Sequence, residues 1–226
     1  MKQSLAGRAL RALVAKRGSI IAPVSSGWQR ERELICDTRS RTELLLTDPA
    51  ALHLAVCARA ARALPGAFAE AGVFKGGSAR LICEEKGDSE LHLFDVFETL
   101  QHTDSNEGED VSAHFGRTHG TEKEVRELLL GYPNLHFHVG LFPGTTRGLD
   151  NLRFAFAHVD LDLPAAMQAA LDYFHPRLVD GGILLADDYN DPDVRSCLDN
   201  WQDGRGDTLI ELPWSQLMIV RQGRSS

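Results

Sequence analysis

The sequence predicts an α/β protein in which a doubly wound, mostly parallel sheet of seven strands ends in an antiparallel hairpin. Short apolar runs alternate with helical patterns along the chain, which favours parallel strands with helices on both faces. The run from Ile183 to Ala186 is apolar throughout, as expected for a central strand buried on both faces. Only Pro213, Trp214 and Ser215 separate the last two predicted strands, which is short enough for a hairpin.

The predicted strands are short segments bounded by glycine, proline or polar residues. They cover residues 67–71, 91–97, 135–139, 152–159, 183–186, 208–212 and 216–221. Asp48, followed by Pro49, is predicted to cap a helix that precedes the first strand. Thr121 and Glu124 form a capping box for a helix that runs to Leu130.

Two further helices are predicted in the second half of the chain. Pro164 begins the first of them, and Gly181-Gly182 is predicted to close it. Its apolar stripe, interpreted as core packing, consists of Met167, Leu171, Phe174 and Leu178. The second helix covers about residues 192–201.

The first 47 residues are predicted to form an N-terminal arm with lid helices, ahead of a main domain at residues 48–226. Residues 1–30 contain six basic residues and no acidic residue. An acid-poor, arginine-rich segment is typical of a targeting peptide, but a surface or lid helix explains the same pattern. Both interpretations stay open.

Charge and cysteine usage restrict the class of protein. The net charge of -8 argues against a nucleic-acid-binding surface, which is normally basic. No apolar run approaches the roughly 20 residues that span a bilayer, so no membrane partner is expected. The four cysteines are dispersed and form no C-x-x-C pair, which predicts reduced thiols in a cytoplasmic protein.

Two acidic pairs follow two successive predicted strands. Asp160 and Asp162 come where one apolar run ends, and Asp187 and Asp188 come one strand–helix–strand unit later. Parallel strands joined by a right-handed crossover end at the same edge, which is where such sheets bind ligands. Several carboxylates in one place need a cation, and Mg²⁺ prefers oxygen ligands. The pattern therefore predicts a magnesium site.

A glycine-rich turn and a later acid point to a nucleoside cofactor. The spacing from Gly72 to Gly77 is G-x-x-x-G-G after a predicted strand and before a helix, and such a turn favours close approach of a ligand. Asp95 ends the next strand, roughly 20 residues later, where an acid can accept hydrogen bonds from ribose hydroxyls. A purely structural turn and a helix cap are the alternatives for these two features.

The segment from 98 to 120 is polar and irregular. It contains His102, His114 and His119 among several acids, at a spacing that matches no standard metal site. We predict a mobile surface loop or lid there, with metal ligation as the alternative.

Four motifs in order resemble the macrocin O-methyltransferase (TylF-type) family. They are EAGVFKGGSA at 70–79, LHLFDVFETL at 91–100, HVDLDL at 158–163 and PRLVDGGILLADDY at 176–189. The resemblance covers about residues 40–221. It implies a class I methyltransferase fold, in which the terminal hairpin is characteristic. It further implies an enzyme that uses S-adenosylmethionine to methylate hydroxyls, often on natural-product sugars, and a homodimer that uses the N-terminal segment.

The resemblance also implies roles for individual residues. The methionine part of the cofactor would be cradled by Glu70, Gly72, Phe74, Lys75, Gly76 and Ser78, and Asp95 would hold the ribose. Mg²⁺ would be bound by Asp160, Asp187 and Asp188, and Asp162 would act as the general base. His158 shares strand parity with Asp160 and is predicted to be a supporting partner or a reserve base; a core histidine with satisfied hydrogen bonds is the alternative.

The sequence departs from the family pattern near the expected pocket. Leu163-Pro164 stands where Leu-Tyr is common, and Phe97-Glu98-Thr99 stands where Phe-Glu-Gly is common. The resemblance therefore leaves the small hydroxylated, sugar-like acceptor unidentified. Two other functional classes stay open: a metal-independent class I methyltransferase and a non-catalytic subunit that retains the cofactor fold.

Overall fold

The computed structural model describes residues 26–97, 120–202 and 206–223, and a seven-stranded sheet organises them. The strands are β1 (Ala67–Ala71), β2 (Leu91–Asp95), β3 (Leu135–Val139), β4 (Phe154–Val159), β5 (Leu178–Ala186), β6 (Thr208–Leu212) and β7 (Gln216–Val220). Their order is β3-β2-β1-β4-β5-β7-β6. Strands β1 to β5 are parallel, and β7 runs antiparallel to both β5 and β6. This confirms the predicted doubly wound sheet with its terminal hairpin.

Six α-helices cover the two faces of the sheet in the part of the chain that the structure describes. They are α1 (Gln29–Arg41), α2 (Asp48–Ala61), α3 (Gly77–Glu85), α4 (Glu122–Leu128), α5 (Pro164–Phe174) and α6 (Pro192–Gln202). One core contains apolar residues of α1 to α4, and the other contains those of α5 and α6. Phe68 faces the first core and Ala69 the second, because side chains alternate along a strand.

The region around Gly181-Gly182 corrects one prediction. These glycines lie inside β5 and do not close the preceding helix, which already ends at Phe174 and passes into a 3-10 turn, His175–Arg177. Pro176 lies in that turn and lacks the N–H that another helical turn would need. The pairing of β4 with β5 shifts between Phe154 and Phe156, and the glycines accommodate the extra residues of β5.

The start of α2 corrects a second prediction. Thr47, not Asp48, is the cap, because its side chain accepts a hydrogen bond from the amide of Ala50. The predicted capping box of Thr121 and Glu124 is present at α4. Several predicted strand and helix ends differ from the observed ones by one or two residues.

Some predictions fall outside the described residues. These are the interpretations of residues 1–25 and of the segment 98–119 with its three histidines. The division of the chain at residue 47 stays a prediction. In the described part, no helix has both the length and the apolar character that a membrane span requires.

Candidate functional site

A cavity of about 570 Å³ lies at the carboxyl edge of the parallel strands. Its wall is formed by residues 43–50, the turn after β1, the end of β2, the loops after β4 and β5, and the turn between β6 and β7. That last turn reaches this edge because β7 is antiparallel, so that β7 begins where β5 ends. Segments from across the chain therefore meet at the predicted ligand-binding edge.

The two acidic pairs converge in this cavity, as the topology of the sheet requires. The amide of Asp160 donates to the carbonyl of Ala71, and the amide of Asp187 donates to the carbonyl of Val159, at 2.9 Å each. Oxygen atoms of Asp160, Asp162 and Asp188 all lie within 4.8 Å of one another. All four carboxylate residues line the cavity.

The crowded carboxylates perturb one another. Burial, followed by the charge of Asp187, raises the pKa of Asp160 well above its ordinary value. Burial, followed by the charges of Asp162 and Asp187, raises the pKa of Asp188 to about 7. Without a cation, the folded protein thus disfavours full ionisation of this cluster.

A buried polar network lies behind the carboxylates. Adjacent strands pair Glu70 with His158, and His158 Nδ1 lies 2.9 Å from a Glu70 oxygen. The other ring nitrogen lies 3.8 Å from Asp187 Oδ2, which accepts a hydrogen bond from Gln216 Nε2 at 3.1 Å. Burial disfavours the charged imidazole, but Asp187 and Glu70 outweigh burial and raise the pKa of His158 to about 10.

This network defines what His158 can do. His158 has no exposed surface and lies outside the cavity wall, so it is placed to support Asp187 and is not placed to accept a proton from a substrate. The geometry therefore favours the supporting role over the reserve base. Glu70 is equally buried, so its side chain reaches the cavity only through His158.

The glycine turn approaches the acids closely. A Cβ on Gly72 would lie 1.7 Å from the carbonyl oxygen of Asp160, so that only glycine fits there. Asp95 fixes the turn, since its Oδ2 accepts hydrogen bonds from the amides of Val73 and Phe74 at 2.6 and 2.8 Å. Its Oδ1 accepts one from Phe97 at 2.7 Å. With about four lone-pair sites, the Asp95 carboxylate can accept about one more donor.

The remaining predicted cofactor residues divide into two groups. Phe74 lines the cavity together with Gly72 and Asp95. The cavity wall does not include Lys75, Gly76 or Ser78. Lys75 Nζ instead forms an ion pair with Glu43 at 2.7 Å. Gly76 has a φ of 78° and caps α3, which explains the glycine by backbone conformation.

Several cavity residues were missed by sequence reasoning. Trp214 and Ser215 line the cavity from the β6–β7 turn, and Asn190 lines it from the loop after β5. Trp214 is 47% exposed. The position of the β6–β7 turn could have been predicted from the sequence, because an antiparallel last strand must start at the carboxyl edge of its parallel neighbour.

Backbone strain clusters around the cavity. Phe74, Asp162, Asp188, Trp214 and Ser215 are non-glycine residues with φ between 51° and 76°, and all of them line it. Such left-handed residues persist only where the surrounding structure enforces them, and they concentrate at functional sites.

The carboxylates fit a hard divalent cation. Asp188 Oδ2 is buried and lacks a hydrogen-bond partner within the described ranges. Mg²⁺ takes oxygen ligands of this type, and its charge would offset the repulsion that raises the pKa values of Asp160 and Asp188. Ligand atoms at a spacing that suits such an ion occur in two overlapping groups, Asp160 with Asp162 and Asp188, and Asp160 with Asp187 and His158.

Comparisons with known proteins identify a family and a shared fold. Residues 43–218, more than half of the chain, match the model of a family described as Macrocin-O-methyltransferase (TylF). A relative from Streptomyces olivaceus is 30% identical over 172 residues, which are 68% of this chain and 63% of the relative. That relative is named 8-demethyl-8-(2,3-dimethoxy-alpha-L-rhamnosyl)-tetracenomycin-C 4'-O-methyltransferase. The match thus spans less than two thirds of the relative's length.

Two solved structures share the fold. The O-methyltransferase NovP is 19% identical with a TM-score of 0.64, over 82% of this chain and 88% of that chain. CalS11, described as a TDP-rhamnose 3'-O-methyltransferase of calicheamicin biosynthesis, is 15% identical with a TM-score of 0.55, over 97% of this chain and 96% of that chain. The described architecture is thus that of class I methyltransferases.

Proposed function

The chain belongs to the macrocin-O-methyltransferase (TylF) family, and we propose that it transfers a methyl group from S-adenosylmethionine to a hydroxyl of a sugar-like natural product. One observation carries the proposal: four carboxylates converge beside a glycine turn in a single cavity. The named relative and CalS11 methylate sugars or sugar nucleotides according to their names, which supports this acceptor class.

The cofactor is assigned to the side of the cavity formed by β1 and β2. Gly72 allows close approach of a ligand, and Asp95 has room for about one further hydrogen-bond donor such as a ribose hydroxyl. Phe74 adds apolar surface beside them. Glu70, Lys75, Gly76 and Ser78 act indirectly in this proposal, by shaping the turn and supporting the site from behind.

Mg²⁺ is assigned to Asp160, Asp187 and Asp188. When bound, it would lower the pKa of a substrate hydroxyl and orient it. Behind the ligands, His158 Nε2 lies 3.8 Å from Asp187 Oδ2, and Gln216 donates a hydrogen bond to the same carboxylate oxygen.

Asp162 is assigned as the general base. It lines the cavity and has a φ of 54°, one of the left-handed backbone conformations that concentrate at functional sites. In the reaction, the acceptor oxygen bonds to the methyl carbon as the carbon–sulfur bond breaks, and Asp162 takes the hydroxyl proton. The chain's main contribution is to align these groups for in-line displacement.

The test combines ligand binding with turnover. We expect S-adenosylhomocysteine and Mg²⁺ each to raise the melting temperature, and EDTA to abolish methylation of hydroxylated acceptors. Asp162→Asn should lower kcat by roughly 10²–10⁴-fold, the usual contribution of a general base, with unchanged binding of S-adenosylhomocysteine and Mg²⁺. Asp172→Asn, an exposed acid on α5, is the matched control.

Three outcomes would contradict parts of the proposal. Turnover that persists in EDTA would favour a metal-independent methyltransferase. Nucleoside binding without turnover on any acceptor would favour a non-catalytic subunit. Weakened Mg²⁺ binding in Asp162→Asn would show that Asp162 is a metal ligand and not only a base.

A further inference from the structure

A second cluster of polar side chains lies towards the amino ends of β2 and β3, whereas the cavity lies at the carboxyl ends. Glu90 and His92 share one face because side chains alternate along the chain, and His136 and His138 share a face for the same reason. The register of β2 with β3 pairs His92 with His136 and brings the two sets together. The two paired rings stack with centroids 4.6 Å apart.

The donor atoms of Glu90, His92 and His136 lie close enough together to converge on one metal ion. Glu90 Oε2 lies 3.6 Å from His92 Nε2, and Glu90 Oε1 lies 3.8 Å from His136 Nε2. One donor atom from each of the three residues lies within 4.8 Å of the others. In a tetrahedral zinc site with bonds of about 2.0–2.2 Å, ligand atoms are about 3.3–3.6 Å apart. Both distances between Glu90 and the imidazole nitrogens, 3.6 and 3.8 Å, lie within about half an ångström of that spacing.

An unsatisfied nitrogen points to a missing ligand. His92 is 4% exposed, and its buried Nε2 makes no hydrogen bond to any described residue. Its Nδ1 lies 2.9 Å from His138 Nε2. If His92 Nδ1–H donates to His138, the lone pair of His92 Nε2 is free to bind a metal, which is how a second histidine orients a ligand.

We propose that Glu90, His92 and His136 bind a first-row divalent metal ion such as Zn²⁺, at a site separate from the acidic cavity. Two imidazoles and one carboxylate favour such an ion over Mg²⁺. The side chains of Glu90 and His136 are 54% and 43% exposed, so that solvent can supply the fourth ligand. The ion would join the start of β2 to the edge strand β3.

The test measures Zn²⁺ binding by the full-length, tag-free chain in excess Mg²⁺, in a Cys36→Ser background that removes an exposed thiol. Glu90→Gln and His136→Ala change exposed side chains and should leave the fold intact, whereas Glu127→Gln is a control at another exposed acid. We expect about one Zn²⁺ per chain, and binding at least about tenfold weaker in the first two variants only. His138→Phe should weaken it by roughly 10–100-fold, as for other residues that orient a ligand.

Substitution of Co²⁺ for Zn²⁺ provides a second readout. The visible absorption of bound Co²⁺ should be present in the parent and in Glu127→Gln and should be lost or shifted in His136→Ala. Equal Zn²⁺ affinity in the parent, Glu90→Gln and His136→Ala would overturn the proposal, as would an absence of Zn²⁺ binding in the parent.

Discussion

Replacement of Asp188 by asparagine should stabilise the metal-free protein while it removes the response to Mg²⁺. Burial and the neighbouring acids raise the pKa of Asp188 from 3.8 to about 7. At 1.36 kcal/mol per pKa unit, the ionised side chain costs the folded state about 4 kcal/mol. Partial exposure screens this cost, and we expect a gain of about 1–3 kcal/mol for the neutral variant above pH 7.

The substitution is otherwise conservative. Asparagine has nearly the same shape and tolerates the left-handed conformation of Asp188, whose φ is 59°. The sign of the pH dependence follows from the raised pKa: the carboxyl contributes stability below pH 3.8, and that contribution is lost as the pH rises through about 7. The advantage of Asp188→Asn should therefore be small near pH 4 and full near pH 8.

Urea denaturation in EDTA at about pH 5 and about pH 8 measures the effect, with Asp172→Asn as control. Added Mg²⁺ should stabilise the parent and the control but not Asp188→Asn. A variant that is less stable than the parent at the higher pH in EDTA would refute the reasoning, because it would show that the acidic cluster is not a source of repulsion.

Three further substitutions or reagents test other features. Gly72→Ala should lower stability by more than about 1 kcal/mol and abolish S-adenosylhomocysteine binding in a thermal-shift assay, because φ is +88° and its Cβ would strike Asp160. Trp214→Ala should raise the acceptor KM about tenfold with little change in kcat, because the exposed Trp214 ring lines the cavity and is available to pack against a bound sugar. A thiol reagent at about pH 8 should label the exposed Cys36 rapidly and Cys57 only after unfolding, since burial raises the pKa of Cys57 to about 11.

The part of the site that depends on strand direction was predictable from the sequence. Asp160 and Asp187 follow apolar runs, and parallel strands with right-handed crossovers leave few choices for where those runs end. The same reasoning placed Asp95 beside the glycine turn. These predictions needed only the order of the strands and the periodicity of the residues.

The side-chain contacts that depend on strand register, and the irregular parts of the strands, were not predictable from the sequence. The sequence does not indicate that Glu70 pairs with His158, because the register of β1 relative to β4 is set by three-dimensional packing. Gly181-Gly182 was predicted to end a helix but accommodates a register shift in β5, because glycine is suited to both positions. The homodimer and the cytoplasmic location stay predictions.

The position of β7 has a consequence for how the protein is made. This strand inserts between β5 and β6, and the turn that precedes it completes the cavity wall with Trp214 and Ser215, so the site cannot form until this late segment has paired with β5. Strand pairings between distant segments also form slowly, because the chain loses the entropy of loop closure before the contacts between the strands stabilise it. Since β7 runs away from the cavity, Val220 lies towards the opposite edge of the sheet, whereas removal of Gln216–Val220 would take away the strand that holds the Trp214–Ser215 turn against the cavity.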